Sequence, residues 1–534
     1  MGKLRQYTAL DLFSGCGGFS LGLQRAGIKV LGAVDFNKEA IATYRENFPE
    51  VPFVREADMK ALEPTILAKA INADHVDLIV GGPPCQGFSM ARQRDGANHG
   101  DRRFIKDERR ELYQEFLRFV DYFQPKVFVI ENVLGIKSAE GGKYFTAVQH
   151  EARNLGKENG RAGYRVHAQV EQAWELGVPQ KRRRQLIIGV RADLPGYFPT
   201  TLKAPKRSMP NMMLGAAIMD LPPLKAGAGK EAQDYDLDLR AKAIRDYGTY
   251  AEKYLFEVLE VRKAKLLTAH RARSHSERDL GDFKKLKEGQ SSADAMRKGV
   301  KFDFPYSTKS FKDRYTRQHR AFQCSTIVAH LSKDGLMFIH PTQNRSITPR
   351  EAARIQSFPD WFKFPVARIH QFRLIGNAVP PLVSEAVGNE VVNFIAEQTM
   401  HKRTRMNRTI PQDQEDAVNW LRPVLDRSAK ELSQMEKSEF LRAWRAVAFL
   451  YPGLHPDSAL DHGKRIEERK EGPSWVMMIE PRLVTPYYCQ SGWPVVLKAL
   501  ADEAWRRADA GLLADDELYS IEAQHAGMNM PHTT

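Results

Sequence analysis

Through the first two hundred residues, short apolar runs of strand length alternate with stretches whose apolar positions recur at helical spacing. Residues 7–13, 30–35 and 76–80 read as strands, and 19–26 and 40–48 read as helices between them. Later apolar runs at 127–131, 164–173 and 185–190 continue the series. A run such as Val76-Asp77-Leu78-Ile79-Val80, nearly apolar throughout, suits a parallel sheet covered on both faces. The alternation predicts an α/β doubly wound, Rossmann-like domain.

The pattern lapses near residue 195. Residues 195–225 are rich in Pro and Gly, and 226–320 are polar, basic and weakly periodic, which predicts an inserted second domain. Order returns at Arg345, with a helix predicted over 348–357, opened by the N-cap Thr348 and by Pro349 at the first helical position. A second helix is expected over 381–399. After the basic stretch 401–408, amphipathic segments at 416–425 and 438–450 predict a mainly helical C-terminal extension. Four regions result: a catalytic and cofactor-binding domain (1–200), an inserted smaller domain (201–340), a return to the first domain (341–400) and an accessory region (401–534).

A chain of 534 residues is too long for one core and long enough to fold without staples. Its four cysteines, at 16, 85, 324 and 489, include no CxxC pair or close Cys/His cluster, so no structural metal site is expected. No apolar stretch approaches a membrane span, and the N-terminus runs directly into a strand. A reducing, cytoplasmic and prokaryotic setting is the expectation. Net charge is +14, and the excess is regional: residues 201–320 hold about 26 Lys and Arg against about 16 Asp and Glu. Basic side chains there are interleaved with aromatics, as in Lys301-Phe302-Asp303-Phe304 and Arg314-Tyr315-Thr316-Arg317, which points to nucleic acid.

Two strand ends carry the chemistry. Pro83-Pro84-Cys85-Gln86 follows the strand ending at Val80, which places the Cys85 thiol where ligands reach a parallel sheet, as a nucleophile would be. In isolation such a cysteine is more often structural. The turn after the first strand, Asp11-Leu12-Phe13-Ser14-Gly15-Cys16-Gly17-Gly18, lets a ligand approach the backbone at a helix N-terminus. Its spacing departs from GxGxxG, so a dinucleotide fits poorly. Asp35 ends the second strand, where it can accept from both ribose hydroxyls, and Asp58 follows the third, where it can meet an adenine amino group. The glycines alone leave ordinary strand-end turns equally open; the acidic residues favour an adenosine-bearing cofactor without pyrophosphate. S-adenosyl-L-methionine fits that description.

With these segments and Glu131-Asn132-Val133 in view, the chain resembles the DNA (cytosine-5) methyltransferases, over residues 7–400 and in the family's motif order. The resemblance rests on 11–18, 81–89, Glu131-Asn132-Val133, Gln180-Lys181-Arg182-Arg183-Arg184, 345–360 and Gly376-Asn377-Ala378-Val379. Chance does not produce six such segments in order. It implies a methyltransferase domain using S-adenosyl-L-methionine, with a target-recognition domain inserted at 201–340 and double-stranded DNA as substrate. It also implies a cofactor site formed by Phe13, Ser14, Gly15, Cys16, Gly17, Gly18, Asp35, Phe36, Asp58, Pro83, Asn377 and Ala378. Cys85 would add to cytosine C6, Glu131 would hold N3 and the exocyclic amine, and Arg184 and Arg182 would steady the flipped base and its surroundings. Arg182 and Arg184 alternate along a strand start and can face one site, whereas Arg183 points away.

Residues 86–106, with Gly87, Gly96 and Gly100, read as a mobile loop able to close over DNA. Cys324-Ser325-Thr326-Ile327 resembles the end of a family recognition domain, and His270, Arg271 and Arg273 fall in a stretch often seen there; structural roles are as open for these. Three rivals remain. A tRNA-acting branch would carry a Cys-Phe-Thr signature that is missing here, a silent DNA-binding paralogue would not need Cys85, and a nicotinamide oxidoreductase would want GxGxxG. The tail's Trp444, Trp475, Trp493 and Trp505 supply bulk for a small core, either a cap or a module for a restriction or phage-defence component. With little chain before residue 7, a prokaryotic or phage enzyme is expected over a eukaryotic one.

Overall fold

The computed structural model describes residues 6–83, 112–137, 143–194, 198–304, 315–404, 429–450 and a few positions between 420 and 507. Cys85, the segment 86–106 and the predicted helix start at 416 lie outside the described residues. The chain divides into two compact units, 1–194 with 201–395, and 195–200 with 396–534.

In the first unit a seven-stranded sheet is ordered β3-β2-β1-β4-β5-β7-β6. Its strands are β1 Thr8–Leu12, β2 Lys29–Asp35, β3 Phe53–Glu56, β4 Leu78–Gly81, β5 Val127–Asn132, β6 Tyr164–Gln172 and β7 Arg183–Arg191. The first five are parallel, with Leu12 opposite both Val34 and Gly81, so the strand order reverses at β1 and opens a crevice beyond the carboxyl ends of β1 and β4. Strand β7 is antiparallel to β5 and to β6. The cause is local: residues 173–182 join β6 to β7 without a crossover helix, and only an antiparallel pair can be joined so tightly.

Helices α1 Gly18–Arg25, α2 Lys38–Asn47 and α3 Pro64–Ile71 link the parallel strands. Asn37 caps α2 by accepting from the Ala40 N–H at 2.9 Å. One face of the sheet packs Leu10, Ile79, Phe128, Ile130 and Ile187 against Phe116, Phe119, Val120 and Phe123 of the helix Leu112–Phe123.

Residues 201–340 are built of short helices, a two-stranded pair and long connections. Buried arginines tie them to the helix Pro349–Ile355, whose Thr348–Glu351 capping box matches the predicted start. Arg354 pairs with Asp360 at 2.6 Å and with Asp220, and Arg345 with Glu351 at 2.7 Å, all fully buried. The helix expected over 381–399 spans Pro381–Thr404.

The second unit contains the helices Ala429–Ser433 and Lys437–Leu450, with Trp444 buried. Arg507 pairs with Glu503 at 2.6 Å and donates to the Leu432 and Met435 carbonyls. Among the described residues no helix is long and apolar enough to cross a membrane, and no cluster of His, Cys, Asp and Glu could hold a metal ion.

Candidate active site

Leaving β1, the backbone turns left-handed three times, at Phe13 (φ 59°), Gly15 (φ 55°) and Gly17 (φ 94°). A Cβ at Gly17 would strike the Phe48 ring and one at Gly18 the Val379 carbonyl, so packing fixes those two glycines. Gly15 differs, because a Cβ there would meet nothing within 4 Å. Cys16 is buried, its Sγ 3.9 Å from the Leu374 carbonyl, and burial pushes its thiol up to about 12. Below the turn, Asp11 accepts from the Ser20 N–H at 3.1 Å and from the Ser20 hydroxyl at 2.6 Å, and Ser20 Oγ accepts from the Tyr44 hydroxyl at 2.7 Å.

Asp35 stands where β2 ends. Its two oxygens accept from the Gly15 N–H at 2.8 Å and the Asn37 N–H at 2.9 Å, which orients the carboxylate across the mouth of the turn. Burial raises its pKa against those bonds. Phe36, beside it, is 75% exposed, and Asp58 after β3 is exposed.

S-adenosylmethionine fits these groups. The Ser14 hydroxyl is buried without a hydrogen-bond partner among the described residues, Gly15 borders open space, and Phe36 offers an uncovered ring to a nucleobase.

The second half lies at the ends of β4, β5 and β7. Glu131, the penultimate residue of β5, is 8% exposed, and its Oε1 lies 2.9 Å from Arg184 Nε and 3.8 Å from Arg182 Nη2. The contact is an ion pair without a directed hydrogen bond, so Oε1 keeps its accepting capacity. The strand-start alternation predicted for the arginines places both near Glu131 and leaves Arg183 exposed. They differ in employment. Arg182 is fully buried, donating to the carbonyls of Ile327 at 3.0 Å, Ala378 at 3.0 Å and Gly376 at 3.4 Å, and burial, reinforced by Arg184, lowers it to about 9. Arg184 donates only to the neighbouring Arg183 carbonyl at 2.8 Å among the described residues, besides pairing with Glu131.

Pro83 is buried where β4 leaves the sheet, and its carbonyl accepts from Asn132 Nδ2 at 3.2 Å. Asn132 Oδ1 in turn accepts from the Val133 N–H at 2.8 Å. In the sequence Asn132 stands only as part of the motif Glu131-Asn132-Val133; a buried amide one residue beyond a strand-end glutamate is the signal for this role. Cys85 follows Pro83 by two residues and lies outside the described residues.

Gln180 and Gln356 likewise stand in the sequence only as members of the motifs 180–184 and 345–360. Gln180 Nε2 donates to Gln356 Oε1 at 2.5 Å and to the Ile355 carbonyl at 3.1 Å, and its Oε1 accepts from the Ile327 N–H at 2.9 Å. Gln356 Nε2 reaches the Ile375 carbonyl at 2.5 Å and Ala378 at 3.3 Å. The two amides and Arg182 therefore join residues 327, 355 and 375–378. Asn377 is exposed and Ala378 buried within that junction.

A family model described as C-5 cytosine-specific DNA methylase matches residues 7–393. The type II methyltransferase M.DdeI of Desulfomicrobium norvegicum is 36% identical over 397 residues, covering 72% of this chain and 88% of the relative. The type II methyltransferase M1.HphI of Haemophilus parahaemolyticus is 33% identical over 390 residues, covering 72% and 87%. A crystal structure of a candidate DNA modification methyltransferase encoded within an E. coli prophage has 30% identity and a TM-score of 0.56, covering 73% of this chain and all of its own. With a family match over most of its length and with the strand ends just described, the chain belongs to the C-5 cytosine-specific DNA methylase family and is a DNA cytosine-5 methyltransferase.

Proposed function

We propose that the enzyme methylates C5 of a cytosine flipped out of double-stranded DNA, at a specific sequence, through a covalent bond between Cys85 and C6. The supporting observation is the Glu131–Arg184 pair at the end of β5, one residue from the Asn132 amide that holds the Pro83 carbonyl. Glu131 sits where it can meet the Watson–Crick edge of a cytosine while Asn132 fixes the chain leading to Cys85.

Cytosine C5 is too weakly nucleophilic to be alkylated unaided. Addition of the Cys85 thiolate to C6 forms a C–S bond and moves electron density to C5, and Glu131 stabilises the ring by a proton or hydrogen bond at N3. Arg184 holds the Glu131 carboxylate in place and presents its remaining donors toward the base. When bound, S-adenosyl-L-methionine supplies a methyl group on a positively charged sulfur. Ser14, the 15–18 backbone, Asp35 and Phe36 would hold it, with Pro83 and the 377–378 backbone closing the site. Loss of the C5 proton to a base then restores the C5–C6 double bond and expels the Cys85 thiolate.

Residues 201–340 serve as the target-recognition region, their arginines and lysines meeting phosphates and a few side chains reading base edges. The names of the relatives support a place in host-DNA protection within a prokaryotic restriction-modification system, in the cytoplasm. Residues 401–534, beyond the family match, form an accessory module for which a defence-system component is the proposed partner.

Base-resolution 5-methylcytosine sequencing of DNA from a methylation-free host expressing the wild type or Cys85→Ala tests the reading. Methylation at one short motif, abolished in the variant, is expected. Methylation that survives in Cys85→Ala would overturn the covalent route, and none in either strain would overturn DNA as the substrate of the chain acting alone.

A further inference from the structure

Beside the turn Ala329–Ser332 is a cleft of about 230 Å³ lined by Arg273, Ser332, Arg368 and Ile369. At about 10–15 Å³ of such volume for one water, a group the size of a phosphate can enter it with water around it. Two guanidinium groups line it without a carboxylate, and Ile369, 54% exposed, forms an apolar part of the lining.

Of the two arginines lining the cleft one is committed and one is not, and Arg271, outside the lining, adds a third charge that acts on Arg368. Arg273 donates to the carbonyls of Lys333 at 2.7 Å, Leu331 at 2.8 Å and Ser332 at 3.1 Å, and lies 5.5 Å over the Phe372 ring. Arg368 donates only to the Ala272 carbonyl, at 3.0 Å, among the described residues, leaving most of its five N–H donors available. Arg271, next to Ala272 in sequence, is exposed with no partner among the described residues. Besides burial, Arg368 lowers the proton affinity of Arg273, which Asp334 partly offsets, and Arg271 lowers that of Arg368. The fold holds three like charges together, and an anion would relieve their repulsion.

The cleft is tied to the catalytic strand ends. Arg182 holds the Ile327 carbonyl, five residues before Ser332, and the close approach of Gly376 to Val328 and Ala329 fixes the other end of the helix that Arg368 begins. From Gly376 to Arg368 that helix rises about 12 Å, the axial length of three to four nucleotides of one strand.

We infer that this cleft seats a backbone phosphate of the substrate DNA a few nucleotides from the flipped cytosine, with Arg368 and Arg271 as donors and Arg273 as the group that shapes the floor. The inference rests on the reading of DNA as substrate. A phosphate contact carries no sequence information, so it sets register and affinity for any duplex.

The test compares the full-length wild type with Arg271→Gln/Arg368→Gln, titrating a random-sequence duplex and a duplex carrying the methylated motif at several salt concentrations. Both duplexes should bind about tenfold more weakly and the log–log salt slope should become shallower by about one, while S-adenosylmethionine affinity should hold. Unchanged affinity and slope would overturn the inference, as would a loss confined to the motif duplex, which would mean base reading. If the double variant no longer binds S-adenosylmethionine, Arg271→Gln alone is read, since Arg271 is exposed, and the same slope criterion decides. A wild type with no salt-dependent duplex binding would overturn the DNA reading itself, a result distinct from failure of the cleft.

Discussion

Arg184 Nε lies 2.9 Å from Glu131 Oε1, but that oxygen receives no directed hydrogen bond. The pair thus positions the carboxylate without saturating it. The two residues are 53 positions apart and meet because β7 returns antiparallel to β5, placing Gln185 opposite Asn132 and Arg184 just past the end of β5.

Glu131→Gln removes the charge and the transferable proton while keeping the shape. The expected result is a fall in kcat of about 10²–10⁴-fold with cofactor affinity unchanged, measured by single-turnover methyl transfer and calorimetry. A kcat within about tenfold of wild type would remove Glu131 from the chemistry.

Arg182 and Arg184 should separate cleanly. Arg182→Met strands the Ile327 and Ala378 carbonyls and should cost about 3 kcal/mol of stability in urea unfolding. Arg184→Met leaves the buried Glu131 without its pair but strands no backbone carbonyl of the core, so it should cost about 1–2 kcal/mol, less than Arg182→Met, yet depress kcat strongly. Equal stability losses would contradict the division of roles.

Asn132→Ala releases the Pro83 carbonyl and leaves Glu131 in place. Misplacing the chain that leads to Cys85 should lower kcat by roughly 10²-fold. Trapping of the enzyme on a mechanism-based cytosine analogue should slow in parallel; trapping at the wild-type rate would show that the tether has no bearing on the nucleophile.

At the other strand end, Phe36→Ala exchanges an exposed ring for a methyl group, and Asp35→Ala removes the acceptor that faces the turn. Each should weaken S-adenosylmethionine binding by about tenfold, with duplex affinity in the absence of cofactor unaffected. Wild-type cofactor affinity in both variants would move the cofactor away from this crevice.

Burial pushes the Asp11 carboxyl up to about 7, against two hydrogen bonds from Ser20. Because the folded-state value exceeds the unfolded one of about 4, its contribution is fully present below pH 4 and is lost as pH rises through 7. Relative to Asp11→Asn, the wild type should lose roughly 3 kcal/mol between pH 5 and 8 in urea unfolding. Comparison with the variant isolates Asp11 from Glu171, which burial also pushes up to about 7. A difference independent of pH would refute the assignment.

The alternation of apolar runs and helical stretches determined the α/β fold in advance, because a strand buried on both faces and a one-sided helix leave different local periodicities. Glu131 was legible for the same reason: an acidic residue that ends the apolar run 127–130 has few places to be except at the sheet's edge. The difference between Arg182 and Arg184 was not legible. Both are arginines two residues apart at the start of one strand, and only the arrival of residues 327 and 376–378 buries one of them among carbonyls. Likewise Asn132, Gln180 and Gln356 acquire roles from partners 19 to 176 positions away. Sequence by itself determined the elements and the residue types available at their ends, since periodicity and turn chemistry act within a few residues. Tertiary structure alone decided which polar groups are satisfied by the fold and which are left for a ligand, because a buried group's partners are set by long-range packing.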